Sequence, residues 1–478
     1  MPMNANGFKE APTTFGGILR SIGPGLIISA AIVGSGELIA TTKLGAEQGF
    51  SLLWFIIIGC VIKVFVQVEL GRFAITRGKS TLDAMNSVPG PKFAGVGWMV
   101  FVWMVMFIAT FFQLGGIVKG ISGVFTLGGS SMSEILWAIV ITGSCSILLT
   151  IGRYQFIERF STGMVAFFTL FTIAAVISLN WTDYAIRPSD IIEGFQFRIP
   201  DKISTAFAAF GIIGVGASEL IYYPYWCLEK GYATYVGKQE IDPASGQPTE
   251  EWSRRANNWM RVLKIDAWVS LVIYTGATIA FYLLGAAVLH SQGLAVGDDS
   301  PMNVLSSMYQ ESFGSVGLWI FIIGAFIVLY STVFIATATN ARLFADIFRV
   351  FRIIDPDNDR KKSRVVWWTC LLLPMVYLLI SLIFKEQPVS LVIAGAIGQA
   401  LMLPFLAGAS LYFHYAVTPK SLKPRTGWVA ALWISALLMA AVGIYSGFNE
   451  ITKRFSSSQP TQEESNPASE ADGQATPE

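Results

Sequence analysis

Apolar residues in this chain come in long blocks divided by short polar stretches, rather than in the alternation of a half-buried strand or the stripe of a soluble helix. About 20 apolar residues are needed for a helix to cross a bilayer core. Blocks of that kind lie at approximately 24–46, 51–74, 95–125, 133–152, 160–179, 203–229, 264–289, 313–345, 365–384, 389–416 and 427–448, which predicts eleven transmembrane helices. Lys and Arg concentrate on the face that carries residues 1–20 and the even-numbered loops, with RIIDPDNDRKKSR at 352–364 as the densest group. By the positive-inside rule the N-terminus is cytoplasmic, and an odd number of spans leaves the C-terminus outside. The stretch 456–478 is rich in Ser, Pro and Glu and reads as a disordered tail.

Composition narrows the class. Of 478 residues, 53% are hydrophobic and 14% charged, about half the charged share of a soluble domain. The expectation is an all-α polytopic protein of the cell membrane whose immediate partner is the lipid bilayer. A net charge of +1 gives no reason to expect nucleic acid, and no obligatory protein partner is evident. Four separated cysteines and two histidines, His290 and His414, carry no metal-ligand spacing. Phosphate-binding, dinucleotide and nucleophile-elbow motifs are absent in the required settings. No enzyme and no resident cofactor are expected.

The most informative pattern is a repeat. Residues 33–39 read VGSGELI and residues 215–221 read VGASELI, each midway along its span, the first and the sixth. Two units of five spans follow, 21–202 and 203–418, with 419–455 as an appended eleventh helix. Five is odd, so the second unit enters the membrane from the opposite side, giving a 5+5 inverted repeat. Gly34 and Gly36, then Gly211, Gly214 and Gly216 with Pro224, weaken both helices at mid-depth. Helix breaks are tolerated there only where the freed backbone lines a cavity or meets protein. Each copy places one carboxylate, Glu37 or Glu219, beside its break. Small residues alone are explained by close helix packing; paired buried acids are not, and they point to a cation site.

With these residues in view, the chain resembles the Nramp family of divalent metal transporters over about residues 20–415. The resemblance rests on GPGLIISA at 23–30, QVELGRFAITRGKSTLDA at 67–84, FGIIGVG at 210–216 and IGQALMLPFLAG at 397–408. It implies a leucine-transporter-like fold with helices 1 and 6 broken, and transport by alternating access. The family's first-span Asp-Pro-Gly-Asn falls on Gly34, Ser35, Gly36 and Glu37, and its sixth-span Met-Pro-His on Ser218, Glu219 and Leu220. Third-span acids of the family fall near Gln113 and Gly116, and Gln399 matches its tenth-span glutamine. The site implied is Glu37, Glu219, Gly34, Ser35, Ser218 and Gln399, all oxygen and without a thioether. Such ligands suit a hard divalent cation, Mg or Mn.

Two other functions compete. Tyr222, Tyr223, Tyr225 and Trp226 follow the sixth break, where aromatic faces could hold the ammonium of an amino acid or amine. A receptor that has kept the fold and lost transport would ordinarily carry a soluble output domain, and 232–263 and 456–478 are too small and polar for one. Lys63, near the centre of the second span, is expected to pair with a carboxylate: Glu69, Glu134 or a site glutamate. Asn340, Arg342 and Asp346 are expected to form an inner-gate network or helix end. Glu158 is read as an interfacial salt-bridge partner of Arg153 or Arg159, and Asp266 as a charge near a helix terminus.

Overall fold

The computed structural model describes residues 8–152, 154–200, 203–297, 301–355, 358–384 and 388–457. Most of the expected tail, 458–478, lies outside them, as does Arg153. Among the described residues, nine helices are long and apolar enough to span a membrane. A tenth span is the pair Pro24–Ile32 and Gly36–Gln48, bent by 43° at the first glycine cluster. The remaining expected span is Ile203–Phe210 and Ala217–Glu229, separated by the irregular segment 211–216. The first break falls within its heptad, and the second ends on the first two residues of its own.

Breaking a helix frees carbonyls that must find donors. At the first break the donors come from the eighth span, Gly317–Val350: Ser331 donates its hydroxyl to the Ala30 carbonyl at 3.0 Å and Thr332 to that of Ala31 at 3.1 Å. Beyond the break the chain runs as a π-helix, Gly36–Thr41, whose carbonyls at Gly36 and Glu37 accept from Thr41 and Thr42. The two breaks touch each other. A Cβ at Gly36 would stand 3.0 Å from the Ile212 carbonyl oxygen, so a larger side chain there drives the broken spans apart.

Other elements frame this centre. The second span, Leu53–Arg77, packs on the seventh helix, Glu250–Leu284, and on the second half of the sixth. The third, Trp98–Leu127, lies along the tenth, Pro388–Tyr412, which in turn supports the eleventh, Thr426–Ser457. Two features differ from expectation. The seventh helix begins at Glu250 rather than near 264, because Thr249 caps it and Trp252 and Trp259 bury one face of a polar extension. Hydropathy measures apolar content and passes over such amphipathic turns. An additional helix, Pro301–Phe313, lies in the connection before the eighth span.

Buried charge joins the second span to the eleventh and to the connection that precedes it. Arg72 makes a two-pronged pair with Glu69, both contacts 3.0 Å, and donates to the Leu422 carbonyl at 2.7 Å. Trp428 donates to the same glutamate at 3.1 Å. Glu69 is therefore committed to Arg72 and is not the partner of Lys63.

Candidate functional site

Glu37 joins the two breaks directly. One carboxylate oxygen accepts from the Gly214 amide at 3.2 Å and from the Thr278 hydroxyl of the seventh helix at 3.1 Å, while the other faces the Gly34 amide at 3.5 Å. The Gly214 amide points there because its backbone is left-handed, φ +60°, and a Cβ would stand 2.8 Å from the Cys60 sulfur. Only glycine adopts this turn without strain in that space.

Glu219 approaches the same segment from its far end. It lies in the first turn of Ala217–Glu229, folded back over Gly216, and is partly exposed where Glu37 is fully buried. A carboxylate is favoured at a helix start, where amides point outward. Gln399 meets the same turn: the Ser218 amide donates to its side-chain oxygen at 3.0 Å, and its amide nitrogen donates to Gln113 of the third span at 2.9 Å. The hydroxyls of Ser35 and Ser218 are buried and make no hydrogen bond among the described residues. Glu37, Gly34, Glu219, Ser218 and Gln399 thus converge on residues 211–216 and the adjoining first break, with Ser35 beside Gly34. Among the described residues no three His, Cys, Asp or Glu side chains group together, so any metal held here would take its remaining ligands from carbonyls, hydroxyls or water.

Lys63 corrects the expectation of a carboxylate partner. Its ammonium donates to the Phe210 carbonyl at 2.5 Å and the Ile213 carbonyl at 2.7 Å, and it lies 4.2 Å from the centre of the Phe210 ring. These are carbonyls of the sixth break, where the half-helix Ile203–Phe210 ends. Among the described residues no carboxylate oxygen comes within 4 Å of it. Glu158 makes the expected salt bridge, with Lys230 at 2.6 Å; Arg153 lies outside the described residues.

A polar column leaves the site along the sixth and eighth spans. Tyr222 donates to Asn340 at 2.6 Å, and Asn340 donates to Tyr377 at 3.3 Å. One helical turn further, Tyr225 donates to Asp346 at 2.7 Å, which also pairs with Arg349 and Lys362; Arg349 continues to Asp83 and Ser80. Asn340 and Asp346 lie within the eighth helix, which continues to Val350, rather than at its end. The column reaches a cavity of about 670 Å³ lined by Ser80, Tyr225, Glu229, Arg342 and Lys362. The aromatic cluster is accordingly occupied: its tyrosine hydroxyls serve this column and Asp266, and Trp226 lies under Arg342.

Asp266 is the residue that sequence reasoning misplaced. It is 1% exposed and accepts from the Gly23 amide at 2.9 Å, the Gly25 amide at 2.7 Å and the Tyr223 hydroxyl at 3.0 Å. It clamps the start of Pro24–Ile32 against the sixth and seventh helices. Asp266→Asn sets a donor against one of those amides, at a cost of about 1–3 kcal/mol. The expected result is several-fold faster thiol labelling of Cys227, buried beside the clamp. Unchanged labelling would show that the clamp does not keep that face closed.

Fold and site together define a class: a mostly helical, multi-pass membrane protein with broken helices at the two glycine-rich heptads. A family model described as natural resistance-associated macrophage protein-like matches residues 25–449, and the chain belongs to that family. It is 24% identical over 284 residues to the divalent metal cation transporter MntH of Caldanaerobacter subterraneus subsp. tengcongensis, a match covering 58% of this chain and 60% of the relative. The chain therefore spans less than two thirds of that relative's length in the match. Its fold is similar to that of a manganese transporter of Eremococcus coleocola, with TM-score 0.70 and 14% identity over 95% of this chain and 92% of the other. MHP1, a nucleobase-cation-symport-1 family transporter in a closed conformation, superimposes with TM-score 0.53 and 14% identity over 92% and 95% of the two chains.

Proposed function

We propose that this protein carries a hard divalent cation, Mg or Mn, across the cell membrane by alternating access, with the N-terminus cytoplasmic and the C-terminus outside. The observation that carries the reading is the single carboxylate of Glu37 reaching both broken spans through Gly34 and Gly214. A cation at that junction ties the two repeats together and neutralises Glu37 and Glu219, and its departure lets them separate. Gly34 and Gln399 shape the pocket, and the hydroxyls of Ser35 and Ser218 offer further oxygen ligands. The six site positions offer oxygen ligands, which favours Mg and Mn over thiophilic metals, and the Cys60 thiol beside Gly214 is the nearby soft group whose replacement by Ser should leave that preference unchanged. Mg retains several waters when bound by one or two carboxylates, and partly exposed Glu219 is placed to accept such an ion. Asn340 and Asp346 belong to the gate on the Lys/Arg-rich face.

The relative and structural neighbour named for divalent metal and manganese support this class of cargo. The aromatic cluster gives little support to an amine carrier, since its hydroxyls and the Trp226 face already have partners. Counterflow in proteoliposomes decides between them. Mg and Mn are expected to exchange against their own isotopes and to compete with each other, with Cd, Zn, amino acids and amines failing to compete. Exchange of an amine or amino acid with no response to metals would overturn the reading.

A further inference from the structure

The carbonyls freed by the sixth break face a permanent side chain. Half-helix ends and unwound carbonyls inside a membrane are natural coordination sites for a small monovalent cation. Here the end of Ile203–Phe210 supplies the carbonyls of Phe210 and Ile213, and the negative end of that helix adds to their pull. The ammonium of Lys63 sits on both, over the Phe210 ring. Lys63 is 0% exposed, and no carboxylate lies within ion-pair distance among the described residues. A buried lysine hydrogen-bonded only to neutral groups is costly to keep, and Glu219 and Glu37 attract this one only from beyond contact distance, yet it reaches from the second span to the break itself. At the first break the equivalent need is met differently, by the uncharged hydroxyls of Ser331 and Thr332. The sixth break thus holds a charge where hydroxyls suffice elsewhere in the same fold.

We propose that Lys63 is a tethered cation that fills a monovalent-ion site on the unwound sixth span, so that this protein works without a bound alkali ion. The ammonium holds the break in shape and covers its carbonyl side. The carboxylates of Glu37 and Glu219, on the amide side of the same segment, are left to the cargo. The site is small: two carbonyl oxygens and a ring face, with the first break packed against Ile212. Deleting the side chain leaves room and ligands for Na⁺ or K⁺, and organic cations such as choline are too large.

This inference goes beyond the cargo reading and does not rest on it, because its test is a melting temperature. Purified full-length protein is heated in choline chloride, with NaCl, KCl or LiCl exchanged in at constant ionic strength. Wild type is expected to be indifferent to the exchange. Lys63→Ala is expected to melt lower in choline and to recover by several degrees, saturably, with at least one alkali ion; folding only in the presence of such an ion supports the same conclusion. Lys63→Arg, which keeps the charge, is expected to stay indifferent. The proposal is overturned if Lys63→Ala melts identically in all four salts, or if it fails to fold in every one of them. Alkali-ion rescue without any divalent transport would sink the cargo reading and leave this one standing.

Discussion

Glu37→Gln cuts divalent uptake into proteoliposomes by about a hundredfold, the expected result of removing one buried charged ligand worth roughly 3 kcal/mol. Glutamine has nearly the same shape, its oxygen still accepts from Thr278 and Gly214, and its NH2 meets only the long 3.5 Å contact to the Gly34 amide, so the protein is expected to fold with a modestly lowered melting temperature. What it lacks is the charge that a divalent ion neutralises. Glu219→Gln is expected to act in the same direction, and the double variant to lose little more than either single one, since one ion needs both groups at once. Initial rates with Mg and Mn, measured beside melting curves, separate lost binding from lost structure. Uptake by both single variants at the wild-type rate would remove the cation site from this location.

The largest effect on stability is expected elsewhere. Glu69→Ala leaves the Arg72 guanidinium buried with only the Leu422 carbonyl, and takes the acceptor from Trp428. Removing one member of a buried ion pair costs about 3–5 kcal/mol. The expected outcome is a sharp fall in melting temperature and loosening of the eleventh helix, readable as faster proteolysis after the 426–457 segment detaches. Exchanging both partners, Glu69→Leu with Arg72→Met, is expected to recover much of the loss, because no unpaired charge remains. A Glu69→Ala protein as stable as wild type would show that the pair contributes nothing net.

Spans, repeat and both breaks were legible in the sequence because each is a local signal. Apolar length marks a crossing helix, and VGSGELI with VGASELI marks the two places where glycine weakens it. The same heptads put Glu37 and Glu219 beside the breaks. Partners were not legible. Lys63 has several acids at plausible depths, and only the fold reveals that carbonyls 147 and 150 residues away receive it. Asp266 was misread because the apolar block begins near 264, whereas the helix begins at Glu250, which moves the aspartate from an end to the interior. Ser331 and Thr332 carry no sequence signal at all: hydroxyls in a membrane helix ordinarily bond back to their own turn, as both also do here. Gln113 and Gln399 were each visible singly, but their contact joins residues 286 apart.

The charged side chains at the sixth break have an electrical consequence. Counted formally, Glu37, Glu219 and Lys63 sum to one negative charge, and the divalent cargo proposed above would reverse that sign. An elementary charge crossing the full transmembrane field is worth about 2.3 kcal/mol per 100 mV. On the carrier function proposed above, an inside-negative potential would favour inward passage of the loaded form and outward return of the empty one, so both strokes of that cycle would draw on the same voltage.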